Sequence, residues 1–402
     1  MKQETEQRGE PEAPLVTAQG TRKAWIGLAF GIVGIALVFV HFFLGVVAGG
    51  IGAYYASGAR RESQDQRVPL AGLIASAAAI ITALVVVFAT RLECNTGLIG
   101  PTLAEGLVLG FLYALIALGY TMVYGVLKLI NFAHDAVFMV GGVGAFYVFG
   151  RFLGIDSPFS GAVLILMLLA VLVVGAIASA AGAVVLERTA YRPLRRRHAA
   201  RLSYLISAIG ASFFATYLFQ QDFLLGPAKR QFPNVMATEE AFTVLDSRVN
   251  NKDFLIVIAV LTCLFLLDRL INQTRTGRSI RALSEDLVGS QLMGVNVNRV
   301  IVTTFLVGGF FGGVAGALYG IQFGNIAWNM GFIFGIKAFT AAVLGGIGNI
   351  RGAMLGGIML GLIENMSVVC IGSQWKNVVA FVVLPLVLIF RPTGIMGERI
   401  GG

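Results

Sequence analysis

Apolar runs about as long as a bilayer is thick recur from Ala24 to Phe390, with few gaps wide enough to fold by themselves. A hydrocarbon core roughly 30 Å thick takes about 20 apolar residues per helix, and a backbone inside it must satisfy its own hydrogen bonds. The chain therefore reads as all-α, a polytopic integral membrane protein of about 10–12 transmembrane or re-entrant helices. Only 13% of its 402 residues are charged, about half the share of a soluble domain. An ordinary globular fold is excluded.

Spans are predicted near residues 69–90, 103–127, 159–186, 202–222, 253–268, 301–320, 352–370 and 376–391. Two shorter stretches, 137–150 and 332–346, are marginal and read as tilted, broken or re-entrant helices. The first apolar stretch, Ala24 to Ser57, is flanked by Arg22 and Lys23 before and by Arg60 and Arg61 after. Basic residues at both ends favour a helical hairpin turning near His41. The predicted organisation is a polar cytoplasmic tail over 1–23, extra membrane segments over 24–98, and a main membrane domain over 99–402 with a cytoplasmic loop at 269–300. Both termini are expected in the cytoplasm of a bacterial-type plasma (inner) membrane.

This topology explains the formal charge of +9, which would otherwise suggest nucleic-acid binding. Of 30 Lys and Arg, 22 fall in inner segments, seven in outer ones, and Lys337 within the membrane. That bias is the one expected of a multispanning protein, so no nucleic-acid partner is indicated and membrane lipid is the surrounding medium. Nor is a cofactor or metal. Cys94, Cys263 and Cys370 lie far apart with no Cys-x-x-Cys pair, so neither a zinc site nor a disulfide framework is predicted.

Two polar, glycine-rich breaks carry the functional interest. The first, Asn131 to Gly142, follows a helix with Gly106, Gly110, Ala114 and Leu118 at the four-residue spacing of close helix packing. Polar groups at a helix break can line a substrate path, which nominates Asn131, Phe132 and His134; Asn131 or Asp135 capping the next helix is the competing reading. The second break gives Leu344, Gly345, Gly346 and Gly348 as further path candidates. No Gly-Lys-Ser or Gly-Lys-Thr follows it, so it is no phosphate loop. Lys337 and Glu364 fall about 8 and 9 Å inside the outer ends of consecutive antiparallel spans, at depths where an ion pair is expected; two side chains snorkelling separately to the interface is the competing reading. The loop from Gln273 to Val297 has Ile280, Leu283, Leu287, Gln291 and Gly294 at helical spacing. A short amphipathic helix there suits docking into a cytoplasmic partner or lying on lipid.

Three segments, LVLGFLYALIALGYTMVYGVLKLINFAH, TRTGRSIRAL with LMGVNV, and KAFTAAVLGGIGNIRGAMLGG with LIEN, resemble the permease subunits of ATP-binding-cassette importers for branched-chain amino acids, the LivH-like family. The resemblance spans about residues 103–397. It implies an importer permease bundle that pairs with a second permease subunit as homo- or heterodimer and takes substrate from an extracytoplasmic binding protein. It also implies separate cytoplasmic ATP-binding subunits, contacted through Arg278, Arg281, Leu283, Leu287, Leu292, Met293 and Gly294. The chain departs from the family pattern in carrying Asp135 where Gly is usual, and Val288, Gly289 and Ser290 where Glu-Ala-Ala is usual ahead of Gly294. The expected function is import of branched-chain amino acids or similar small solutes by a subunit that is not itself an enzyme. A stand-alone secondary transporter or channel for urea, amides or amino acids is the alternative. Region 1–98 falls outside the resemblance.

Overall fold

The computed structural model describes residues 94–397 except 156, 245, 246 and 392. The chain divides into two compact units, Met1–Cys94 and Asn95–Gly402; the predicted tail, hairpin and 69–90 span lie outside the described residues.

Eight helices among the described residues are long and apolar enough to cross a membrane. Helix α1 runs Ile99–Leu127 and stops where Lys128 turns left-handed (φ 53°) and donates its amide hydrogen to Tyr124. Helix α2, His134–Phe146, continues as a π-helical turn over Tyr147–Phe152, so the marginal 137–150 stretch becomes a 19-residue candidate span. Helix α3, Gly161–Leu186, passes through a second π turn, Glu187–Tyr191, into the short α4, Arg192–Arg196. Then come α5, Arg201–Gln220, and α6, Asn251–Gln273. The 269–300 loop folds as α7, Arg275–Glu285, and α8, Leu287–Leu292. Helices α9, Val297–Phe323, α10, Met330–Gly345, α11, Ile350–Ile371, and α12, Lys376–Phe390, complete the bundle. With 16 residues, α10 reaches only about 24 Å, short of the hydrocarbon thickness; this is the second marginal stretch.

Among the described residues four short strands interrupt the helices. Strands β2 (Glu240–Val244) and β3 (Ser247–Asn250) form an antiparallel hairpin, and β1 (Arg230–Gln231) pairs with β4 (Asn325–Ile326). All four lie in loops predicted on the outer side, where water can satisfy strand edges; helical periodicity gives no signal for them. Sequence spacing also failed for the cysteines: among the described residues Cys94 and Cys370 each take part in a disulfide, while Cys263 is free and buried.

Small residues set the packing. A Cβ on Gly110 would stand 2.8 Å from Ile358 Cα and 3.1 Å from the Gly357 carbonyl oxygen; Gly106 meets Gly361 and Asn365 in the same way. The small-residue row on α1 thus receives α11 backbone to backbone. Gly141, Gly175 and Gly313 do the same where α2, α3 and α9 cross. Helices α1 and α9 end up almost wholly buried, whereas α5 and α12 expose most of their length. Ile206, Phe213, Phe214 and Tyr217 on α5 and Leu388, Ile389 and Phe390 on α12 are exposed, the surface a helix presents to lipid or to another apolar subunit.

Candidate functional site

One face of α1 carries Tyr113 and Tyr120, two helical turns apart, and buried polar groups collect around them. At Tyr113, Lys337 of α10 extends its Nζ to within 2.6 Å of Glu364 Oε1 on α11. The Tyr113 hydroxyl donates to Glu364 Oε2 at 3.0 Å and accepts from Lys337 Nζ at 3.3 Å. The Lys and Glu side chains are 5% and 1% exposed, so both charges depend on one another rather than on water; nor does either snorkel to an interface. The ammonium also faces the rings of Tyr113 and Phe334, 5.7 and 6.0 Å away, within range of cation–π attraction.

The first break is as crowded. Asn131 Oδ1 accepts from the Tyr191 hydroxyl at 2.9 Å and from the Ala133 amide at 3.2 Å, holding the turn against the π turn after α3. His134 is buried; its Nε2 has no hydrogen-bond partner, its ring meets Tyr120 edge-on at 4.9 Å, and it fills the hollow left by Gly119. Phe132 packs on Phe339 of α10 at 5.3 Å. Asp135 does not cap α2: it sits in the helix's first turn, where its carboxylate accepts from Ser212 Oγ of α5 at 2.7 and 2.8 Å and from the Ala136 amide at 2.6 Å.

At the second break the glycines are occupied by backbone. Gly345 abuts Gly352, and Gly346 abuts Gly394 and Gly397. The amides of Ile395 and Met396 donate to the carbonyls of Leu344 and Gly345, both at 2.9 Å. Leu344, Gly345 and Gly346 therefore close a helix end instead of lining an opening, a correction to their placement on a path. Gly348 (φ 99°) is less confined, with Tyr124 the nearest neighbour at 3.9 Å from a notional Cβ. Between the two breaks lies a shallow crevice, too narrow to hold a water molecule, bounded by Tyr120, Tyr124, Ile130, Phe339, Ala342 and Ile347. The breaks do converge, on aromatic side chains more than on their glycines.

In the loop between α6 and α9, the Thr274 hydroxyl caps α7, Asp286 caps α8 and Asn296 caps α9 through their side chains. Each cap satisfies an amide that a helix start leaves free, which fixes the loop without covering it. Leu292 and Met293 are 83% and 86% exposed, and Leu287 and Val288 also face outward. Leu283 is buried on the side of α7 that packs on α6 and α9. Arg281 turns back to donate to the Ile271 carbonyl and the Asn272 side chain. Leu283 therefore anchors the loop and is unavailable to a partner, a second correction; Arg281, though tied back to the end of α6, stays exposed, as do Arg278 and Gly294. Beside it, Arg195 bridges the buried Glu187 at 2.8 Å and Asn298 at 3.0 Å, tying α4 to the start of α9.

Sequence reasoning missed Tyr113, Tyr191, Ser179 and Ser212. The first was legible: Tyr113, Tyr120 and Tyr124 recur on one face of α1, a periodicity of polar-tipped rings inside a span. The others reach the site from distant segments, as when Ser179 Oγ donates to the Val137 carbonyl at 2.7 Å, and no local pattern marks them.

Membrane-length helices packed through glycines, buried polar side chains where those helices break, and a loop with outward-facing apolar side chains define a multi-pass transport permease. Residues 102–388 match the sequence profile of the branched-chain amino acid transport system permease component, and the chain belongs to that family. It is 43% identical over 305 residues to the high-affinity branched-chain amino acid transport system permease protein BraD of Pseudomonas aeruginosa, covering 74% of this chain and 95% of the relative. Identity to the permease protein LivH of Escherichia coli K12 is 42% over 302 residues, 73% and 94% of the two chains. A shorter match, 33% over 142 residues and 40% of the relative's length, joins it to the autoinducer 2 import system permease protein LsrC of Yersinia pseudotuberculosis. No solved structure matches.

Proposed function

We propose that the chain is the membrane-spanning permease of an ATP-driven importer for branched-chain amino acids or similar small zwitterionic solutes. It works with a second permease subunit, alike or different, two cytoplasmic ATP-binding subunits and an extracytoplasmic binding protein. Both of its ends lie in the cytoplasm, and ATP is hydrolysed on the partner chains. The observation that carries the reading is the capped cytoplasmic loop whose Leu287, Val288, Leu292 and Met293 face outward, in a chain so similar to BraD and LivH. Apolar side chains held out on a rigid turn favour a groove in a partner protein. Closure of the ATP-binding subunits on this loop biases the bundle between outward- and inward-open states, through their differential affinity for the two. A secondary transporter needs an uncommitted intramembrane acid for ion coupling, and Glu364 is already paired with Lys337.

The test is reconstitution. Proteoliposomes holding the whole complex, with ATP inside and loaded binding protein outside, accumulate radiolabelled leucine only while ATP lasts. Uptake that persists when the ATP-binding subunits are left out ends the importer reading.

A further inference from the structure

The clusters around Tyr113 and Tyr120 belong to one seam. From the outer end of α9, the rings of Phe323 and Tyr319 (4.6 Å), Tyr319 and Phe334 (4.8 Å), and Phe334 and Tyr113 (5.6 Å) follow one another inward. Further along α1, Tyr120 and Phe339 (6.0 Å), then Phe339 and Phe132 (5.3 Å), lead to the crevice between the two breaks. Phe323 is 40% exposed, so the seam begins at solvent or lipid and ends at the inner break. Beside its outer half sits the seam's opposite-charge pair, Lys337 and Glu364, with the Tyr113 hydroxyl between the charges. A buried ion pair is seldom the most stable filling for its volume, since apolar residues of similar size often do as well or better. Its presence needs a use.

We infer that the Lys337–Glu364–Tyr113 cluster is the transport-path site for the zwitterionic head group of an α-amino acid, resting on the importer reading above. A zwitterion carries the same two charges a short distance apart, so it can exchange with the internal pair while leaving no charge unmatched. Its carboxylate takes the place of Glu364 beside Lys337 Nζ and accepts from the Tyr113 hydroxyl; its ammonium takes the place of Lys337 beside Glu364. The aliphatic side chain lies along Phe334 and Tyr319, whose rings stand at right angles and offer apolar surface without hydrogen-bond demands. The internal pair is then the resting state of the site, closed when substrate is absent.

The test uses the full complex in proteoliposomes. Lys337→Met with Glu364→Leu replaces the pair by apolar groups, and a purely structural pair predicts near-parental leucine uptake from it. Zwitterion binding predicts a complex that assembles at parental yield yet takes up leucine at least tenfold more slowly. Uptake within twofold of the parent overturns the inference. Should the double variant fail to assemble, Tyr113→Phe decides: a KM for leucine raised fivefold or more supports the site, and an unchanged KM overturns it. Leucine uptake by the parent complex reports separately on the importer reading, and a parent inert toward leucine removes both.

Discussion

Gly110 gives a substitution whose effect is calculable from one crossing. Alanine there places a methyl 2.8 Å from Ile358 Cα and 3.0 Å from its carbonyl oxygen. Ordinary contact begins at 3.4 Å, so the α1 and α11 backbones must part by about 0.6 Å, and neither atom can turn aside as a side-chain tip would. A gap of that size forfeits about a quarter to a half of the dispersion attraction of each contact it opens, and overpacking of this kind costs about 1–3 kcal/mol. Against it stands the gain of about 0.5–1 kcal/mol from replacing glycine inside a helix. Gly125, on the same helix, has nothing within 4 Å of its notional Cβ, so Gly125→Ala collects the gain alone. The difference between the two variants isolates the steric penalty. Cys263, free and buried, reports unfolding in detergent through a thiol-reactive fluorophore. Gly110→Ala should melt roughly 3–10 °C below Gly125→Ala, at about 2–4 °C per kcal/mol. Equal melting points would mean that α1 and α11 do not meet at this glycine.

Three further outcomes follow from the site. Removing the Asp135 carboxylate leaves Ser212 without its acceptor, so Asp135→Ala and Ser212→Ala should each speed hydrogen exchange in α5 and destabilise by about 1–3 kcal/mol; the double variant should be no worse than the poorer single one. Glu187→Gln weakens the tie among α3, α4 and α9, and trypsin applied to the detergent-solubilised protein should cut the segment from Arg195 to Arg201 several times faster. Leu292→Ser with Met293→Ser, at exposed positions, should shift stability by no more than about 0.5 kcal/mol while lowering ATP-driven uptake severalfold; unchanged uptake would remove these residues from the proposed ATPase contact.

The helices were legible because a bilayer imposes a length, and the seven predicted spans that fall among the described residues reappear with ends shifted by a few residues. The 137–150 stretch looked too short because its polar first turn, His134 and Asp135, and its π-helical end each hid part of the helix. Lys337 and Glu364 could be suspected from depth alone, since charges in a span are rare. Their third member, Tyr113, was legible only through its recurrence with Tyr120 and Tyr124 on one face of α1, because a single tyrosine in a span reads as an interfacial residue. The glycines of the second break misled for a physical reason. Glycine permits close approach by anything, and sequence does not say whether the visitor is a substrate or the chain's own backbone; at Gly345 and Gly346 it is Gly352, Gly394 and Gly397.

That last contact has a consequence for biogenesis. The carbonyls of Leu344 and Gly345 end α10, and their partners are the amides of Ile395 and Met396, with Asn349 Nδ2 donating to the Met396 carbonyl at 2.9 Å. While the ribosome is still making α11 and α12, α10 waits in the membrane with its inner end unfinished. A stalled or clipped product lacking Thr393 to Gly397 would keep every span in place and still display this open helix end, a mark by which a quality-control protease could tell a finished permease from an abandoned one.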